Sequence, residues 1–203
     1  MNEDKATFSV VILAAGESKR FGSPKQLAEF NGEPLLVSVI KKILVCKLEP
    51  YVALGANLEK ISKHQAMMPF NHLIIPVKRW SMGLSASIKE CIAYLDNEDL
   101  SGIVFFLGDQ PVIEESYLMR FFSRVEQSAS DLICTSYEDE EGGGLGVPAY
   151  FPKSYFKELR ALEGDQGAKQ VLKNNKPLVL RCESGLLDID EPEDLAHAKR
   201  DLG

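Results

Sequence analysis

The sequence is short of the residues that dominate several large protein classes. It carries 23 Lys and Arg against 30 Asp and Glu, a formal net charge of -7. It therefore lacks the basic excess with which proteins coat nucleic-acid phosphates. Its four cysteines, Cys46, Cys91, Cys134 and Cys182, are widely spaced and form no C-x-x-C pair. Three sit in or beside apolar runs, and they read as small buried thiols of a reducing compartment. His64, His72 and His197 have no partner at metal-ligand spacing, so no catalytic role falls to them. No apolar run approaches about 18 residues, the length that spans a bilayer as a helix. The polar opening MNEDKATF is unlike a secretory leader. Repeats and low-complexity tracts are absent. The expectation is a cytoplasmic protein with no nucleic-acid partner and no membrane contact.

Apolar residues still make up 45% of the 203 positions, enough for a substantial core. The length suits one domain over residues 1–203. Phe8 to Leu13 is apolar at nearly every position, the pattern of a strand covered on both faces. Pro34 to Val45 repeats apolar residues at helical spacing behind a first-turn proline. Further strands are expected at Tyr51–Leu54, Leu73–Val77, Gly102–Leu107, Asp131–Ser136, Leu178–Cys182 and Leu186–Ile189. Helices are expected at Leu84–Leu95, Tyr117–Val125, Ser154–Leu162, Gln166–Lys173 and after EPED at the end. Glu138 to Gly146, EDEEGGGLG, reads as an acidic, glycine-rich loop. Strands alternating with helices predict a three-layer α/β fold around a mostly parallel sheet. Such sheets bind ligands beyond the carboxyl ends of their strands.

Three stretches at such ends carry chemistry. The first, LAAGESKRFGSPK, runs from Leu13 to Lys25. Gly16 leaves the backbone open to a ligand, and the amides from Ala15 to Ser18 can form an anion-binding nest. Arg20 supplies a guanidinium fork and Lys25 a mobile charge, a combination suited to a polyphosphate. The stretch is neither G-x-G-x-x-G nor a Walker A loop, because the glycine and lysine spacings differ. A tight turn with solvated basic residues is the plainer alternative. The second stretch is GDQP, Gly108 to Pro111, which sets Asp109 at the end of a buried strand as a candidate magnesium ligand. The third is DIDEPEDL, Asp188 to Leu195. Asp188 and Asp190 share a side if the chain is extended there, and either one completes a metal site with Asp109. Glu193 and Asp194 suit the positive end of a final helix. Trp80 reads as a core aromatic, with a pocket wall as the alternative.

The Leu13–Lys25 stretch resembles the L-A-A-G-x-S-x-R-M/F-G-x-x-K signature of nucleotidyltransferases, most closely that of molybdenum cofactor cytidylyltransferases and related molybdopterin nucleotidyltransferases. The likeness continues through RWSMGLSASI (Arg79–Ile88), GDQP, LEGDQGAKQVL (Leu162–Leu172) and LDIDEPEDL. The resemblance implies a Rossmann-like nucleotidyltransferase fold of the glycosyltransferase A type. It implies a magnesium-dependent enzyme moving a nucleoside monophosphate, CMP from CTP, onto a phosphorylated acceptor such as molybdopterin, with pyrophosphate released. GTP, or a sugar- or polyol-phosphate acceptor, is the alternative within that class, and a nucleotide-binding regulator or cofactor chaperone lies outside it. Residue by residue, it implies that Leu13, Ala14, Ala15, Gly16, Gly83 and Ser87 line the nucleotide site. Arg20 and Lys25 hold the triphosphate. Asp109 binds magnesium, with Asp190, or else Asp188, as second ligand. Gly164, Asp165 and Gly167 lie on the acceptor side, and the product passes to a molybdoenzyme or its chaperone. The chain departs from the family pattern at Val77, where asparagine is frequent, and at Val147, where histidine or asparagine stands between glycine and proline.

Overall fold

The computed structural model describes residues 7–97, 99–137, 144–183 and 188–195. The chain enters through β1 (Phe8–Leu13), a short hairpin of β2 (Glu29–Phe30) and β3 (Glu33–Pro34), and helix α1 (Leu35–Val45). It continues through β4 (Tyr51–Leu54), α2 (Leu58–Ser62), β5 (Ile74–Pro76), α3 (Leu84–Leu95), β6 (Gly102–Leu107) and α4 (Glu115–Gln127). The last part comprises β7 (Ile133–Tyr137), β8 (Gly144–Pro152), α5 (Phe156–Ala161), α6 (Lys169–Asn174) and β9 (Leu178–Cys182). None of the described helices is long and apolar enough to cross a membrane.

Seven strands form one sheet in the order β5-β4-β1-β6-β8-β7-β9. β1 pairs in parallel with β4 and with β6, β4 with β5, and β7 with β9. Only β8 runs against its neighbours, antiparallel to both β6 and β7. From β1 the chain first winds outward to β4 and β5, then returns to place β6 on the other side of β1. The strand order therefore reverses between β1 and β6, where loops leaving adjacent strands diverge and open a crevice.

Alternation along β1 divides the core. Val10 and Ile12 face one way, packed with Leu36, Ile40 and Ile43 of α1 and with Phe121 and Val125 of α4. Val11 and Leu13 face the other way, packed with Ile88 and Ile92 of α3, Leu159 of α5 and Leu172 of α6. Every residue from Val10 to Ala15 is buried, which is why the strand reads as an unbroken apolar run. The result is the expected three-layer α/β fold with a largely parallel central sheet.

Besides the β2–β3 hairpin and α2, for which the sequence held no expectation, two stretches differ from what was expected. Gly144–Pro152 is a nine-residue strand whose last five positions are buried, where Glu138–Gly146 read as loop. Its two glycines and two prolines hide a strand from a propensity reading. Its prolines stand at Pro148 and at the terminal Pro152, beside a register shift between Cys134 and Thr135 on β7. Residues 138–143 of the predicted loop lie outside the described residues, as do residues 186 and 187 of the predicted Leu186–Ile189 strand. Asp188 and Ile189 belong to no strand.

Candidate active site

The crevice between β1 and β6 holds a cavity of about 540 Å³. Leu13, Ala14, Ala15 and Gly16 line it from the end of β1, and Gly108 and Asp109 from the end of β6. Trp80, Ser81, Gly83, Leu84 and Ser87 form the wall at the start of α3. All six residues expected on the nucleotide side, Leu13 to Gly16 with Gly83 and Ser87, thus face one space, together with Arg20, Lys25, Asp109 and Asp190.

The loop after β1 is shaped by a residue that the motif reading passed over. Gln26 is only 3% exposed. Its Nε2 donates to the carbonyls of Ala14 at 2.9 Å and Gly16 at 3.3 Å, and its Oε1 accepts from the Ser18 hydroxyl at 3.2 Å. One buried amide thereby ties the loop to its own return segment, with Ser18 turned into the left-handed region at φ 60. Among the described residues, the amides of Gly16, Glu17 and Ser18 donate to no protein acceptor. They are free to meet an anion, as the predicted nest requires. Nothing in the local pattern marks a polar residue between Lys25 and Leu27 as buried. Its partners come from the loop folding back on itself.

Beneath this loop lies an ion-pair network. Lys25 Nζ donates to Asp109 Oδ2 and to Asp190 Oδ1, both at 2.7 Å. Arg20 Nη2 donates to Asp190 Oδ2, also at 2.7 Å. The Lys25 and Asp109 side chains are 17% and 16% exposed, so water screens their pairing little. Burial pulls the Lys25 ammonium pKa down, but the adjacent Asp109 and Asp190 carboxylates outweigh it and hold it above the ordinary lysine value. The hydrogen bond from Lys25 is the largest cause that keeps the Asp190 carboxyl below its ordinary range, with burial opposing it and Arg20 reinforcing it.

Asp190 reaches Asp109 because the segment before it is anchored. Ile189 is fully buried in a small cluster with Phe30 and Leu35, and its N–H donates to the Asp109 carbonyl at 3.1 Å. Asp194 Oδ2 accepts the N–H groups of Asp190 at 2.9 Å and Glu191 at 2.8 Å, half of a capping box at the turn of helix over 192–195. Pinned at Ile189, the flanking aspartates reach different places. Asp190 lines the large cavity with Asp109, whereas Asp188 accepts from Gln110 Nε2 at 2.7 Å and lines a second cavity. Asp188 and Asp190 thus line different cavities, and burial together with the nearby Asp109 and Asp190 carboxylates raises the Asp188 pKa above its ordinary value.

Among the described residues, no group of three or more His, Cys, Asp or Glu stands at metal-holding distance. The pair Asp109 and Asp190 still fits a hard cation that takes one or two carboxylates and completes its shell with water and phosphate oxygens. Asp109 Oδ1 is buried and has no hydrogen-bond partner, so an oxygen ligand is left unsatisfied there.

The three acceptor-side residues separate. Asp165 lines the large cavity and Gly167 the second one. Gly164 lines neither, and its carbonyl accepts the Ser85 N–H at 3.1 Å, fixing its loop against the start of α3. Gly83, at φ 95, lies so close to this loop that an added Cβ would stand 2.4 Å from the Gly164 carbonyl oxygen. Trp80 serves both expected purposes, packing half-buried on the α3 side of the core while forming a cavity wall.

The sequence profile of the MobA-like NTP transferase domain matches residues 10–178. The fold and the crevice at its switch point thus have a family: the chain belongs to the MobA-like NTP transferases. It is 28% identical to the purine catabolism protein PucB of Bacillus subtilis (strain 168), over 94% of this chain and 95% of that protein. A probable molybdenum cofactor guanylyltransferase of Thermococcus sibiricus is 22% identical over 95% and 94% of the two chains. Among solved structures, Rv0371c of Mycobacterium tuberculosis H37Rv superposes with a TM-score of 0.78 at 27% identity, covering 95% of this chain and 97% of that one. Its relatives span several nucleotidyltransferase families, and general nucleotidyltransferase activity on a phosphorylated acceptor is supported.

Proposed function

We propose that this protein transfers CMP from CTP to the phosphate of a small acceptor of the molybdopterin class and releases pyrophosphate. The observation that carries this reading is the Lys25–Asp109–Asp190 network lining a nucleotide-sized cavity, beside three loop amides that meet no acceptor among the described residues. An acceptor phosphate oxygen attacks the α-phosphorus. The α-phosphorus-to-bridging-oxygen bond breaks, and the electron pair leaves with pyrophosphate. The attacking phosphate is already anionic, so no general base is needed.

The residues of this chain then have separable tasks. The free amides of Gly16 to Ser18 and the Arg20 guanidinium take the β- and γ-phosphates. Lys25 moves its charge onto phosphoryl oxygens as negative charge grows there. Ala14, Ala15, Gly83 and Ser87 hold the base and ribose, fixing the α-phosphorus relative to the acceptor. Asp109 and Asp190 are the residues that would hold magnesium, whose role when bound is to neutralise phosphate charge.

A molybdopterin-class acceptor is supported by coverage. The purine catabolism protein and the molybdenum cofactor guanylyltransferase are relatives that match over nearly the full length of both chains. Relatives named for N-acetylglucosamine chemistry match about two thirds of the chain, for example 68%. The guanylyltransferase relative gives GTP standing as a second donor.

Calorimetric titration of CTP, GTP, ATP and UTP with magnesium, on the wild type and on Asp109→Ala, tests the reading. Binding of CTP above the others, lost in Asp109→Ala, is expected. Tighter binding of GTP would move the donor assignment. No binding of any nucleotide at millimolar concentration would overturn the transferase reading.

A further inference from the structure

Four acidic side chains line the crevice cavity: Glu17, Asp109, Asp165 and Asp190. Three of them face a cation of this chain. Glu17 pairs with Lys19 at 3.2 Å, Asp109 with Lys25 at 2.7 Å, and Asp190 with both Lys25 and Arg20 at 2.7 Å. Asp165 pairs with none among the described residues. Phosphate binding does not use it either, because a carboxylate with no cation beside it repels a phosphate. An ionised carboxylate only accepts hydrogen bonds, so what it lacks is a donor.

Its place in the fold says which part of a nucleotide it meets. The loop that carries it is fixed to the start of α3, where the Gly164 carbonyl accepts the Ser85 N–H at 3.1 Å. That contact brings Asp165 against Gly83. A Cβ at Gly83 would stand 2.6 Å from Asp165 Oδ1, so a side-chain-free residue leaves the carboxylate its room. Gly83 also closes the turn of Trp80–Met82, its N–H donating to the Trp80 carbonyl at 3.2 Å. Trp80 is the aromatic wall of this cavity, and an aromatic wall suits the face of a base. Asp165 therefore stands beside the wall that suits a base, and Arg20 and Lys25 belong to the loop that suits phosphates.

We propose that Asp165 selects the donor nucleotide, its carboxylate accepting a hydrogen bond from the amino group of the base and turning uracil away. The proposal rests on the transferase reading and deepens it. It moves Asp165 from the acceptor side, where the family resemblance puts it, to the nucleotide side. A carboxylate is a matched acceptor for the cytosine N4 amino group, and the bond is charge-assisted. The guanine amino group offers the same chemistry. Uracil differs from cytosine in carrying O4 where the amino group stands, and there the carboxylate would set oxygen against oxygen. Discrimination of this kind comes from a group the wrong base cannot satisfy, not from the size of the cavity. Asp165 is then a specificity-determining residue of the donor half.

The test is calorimetric titration of the full chain with CTP, UTP and 2′-deoxycytidine triphosphate, each with magnesium, on the wild type, Asp165→Asn and Asp165→Ala. The side chain is exposed, so both variants should melt with the wild type. The wild type should prefer CTP to UTP. Asp165→Asn should weaken CTP about three- to tenfold, the difference between a charge-assisted and a neutral hydrogen bond, and leave UTP no weaker. Asp165→Ala should narrow the preference in the same direction. The deoxynucleotide should lose as much as CTP does in each variant. If GTP is the tighter donor, inosine triphosphate, which lacks the amino group, takes the place of UTP and the same narrowing is expected. Equal losses for CTP and UTP, or a loss that vanishes with the deoxynucleotide, would make Asp165 a ribose contact and overturn the proposal. An unchanged preference in both variants would overturn it too. Absence of nucleotide binding by the wild type is a different result, and it marks failure of the transferase reading itself.

Discussion

Lys25 and Asp190, 165 positions apart in the chain, meet with Nζ 2.7 Å from Oδ1, and the same ammonium lies 2.7 Å from Asp109 Oδ2. The lysine of the phosphate loop thus stands between the two carboxylates that suit a metal. It holds them together while no phosphate competes for its charge.

Lys25→Met should therefore raise the affinity for manganese measured without nucleotide. A charge-assisted contact is worth about 1.5–3 kcal/mol, so a gain of about tenfold or more is expected. The same variant should lose affinity for CTP. Manganese titration followed by electron paramagnetic resonance reads the first effect and calorimetry the second. Equal manganese affinity in wild type and variant would show that Lys25 does not compete with the cation.

Gln26→Leu keeps the volume but removes the donors to Ala14 and Gly16 and the acceptor for Ser18. The carbonyl of buried Ala14 and that of exposed Gly16 lose a partner, and the buried one should cost about 1–3 kcal/mol in urea unfolding. Nucleotide affinity should fall with it, because the loop amides lose their brace. Gln26→Glu should be worse at neutral pH, since it sets a carboxylate against two carbonyl oxygens. A Gln26→Leu protein with unchanged stability and unchanged CTP binding would remove the brace from the account.

Gly16 and Gly83 should respond differently to alanine. A Cβ at Gly16 meets nothing within 4 Å, so Gly16→Ala should fold with little loss and yet hinder a nucleotide lying on the backbone. A Cβ at Gly83 would collide with the Gly164 carbonyl at a positive φ, so Gly83→Ala should lower the melting temperature and displace the 164 loop. Thermal melts and CTP titration separate the two effects. Equal melting temperatures for both variants would contradict the close packing at Gly83.

Glu90 braces the segment that carries Trp80. Its carboxylate accepts the N–H of Lys78 at 2.7 Å, the N–H of Arg79 at 3.1 Å and Arg79 Nε at 2.9 Å. Burial pushes its pKa up, but these donors outweigh it and hold it below the ordinary value of 4.5. A carboxyl depressed in the folded state stabilises fully above its unfolded pKa and loses that contribution as pH falls through the folded one. Glu90→Gln should therefore destabilise by about 1–2 kcal/mol at pH 7. The difference should shrink as pH drops below 4.5. Chemical denaturation at pH 7 and pH 3.5 measures it, and a difference independent of pH would rule out the charge.

Much of the fold is legible in the sequence. The ranges Phe8–Leu13, Tyr51–Leu54, Leu84–Leu95, Gly102–Leu107 and Leu178–Cys182 are observed as expected. Burial on both faces of a strand, or on one face of a helix, writes a local period into the sequence. Gly144–Pro152 wrote none, because its glycines and prolines are tolerated through pairing and a register shift that local propensity does not record. The motif residues Gly16, Arg20, Lys25 and Asp109 were legible for a related reason, since side-chain-free turns and charges at strand ends stand out from an apolar background.

The sequence by itself determined the alternation of strands and helices, the two-sided burial of β1 and the kinds of group at the strand ends. Only the tertiary structure decided which groups meet. The order β4-β1-β6 brings the ends of β1 and β6 together, and the buried Ile189 sends Asp190 to Lys25 while Asp188 turns to Gln110. It also decided that Gln26 is buried and that Gln110 keeps an unpaired oxygen. Periodicity reports a residue's neighbours within a few positions. Contacts across 84 or 165 positions follow from sheet order and core packing, which no local window contains.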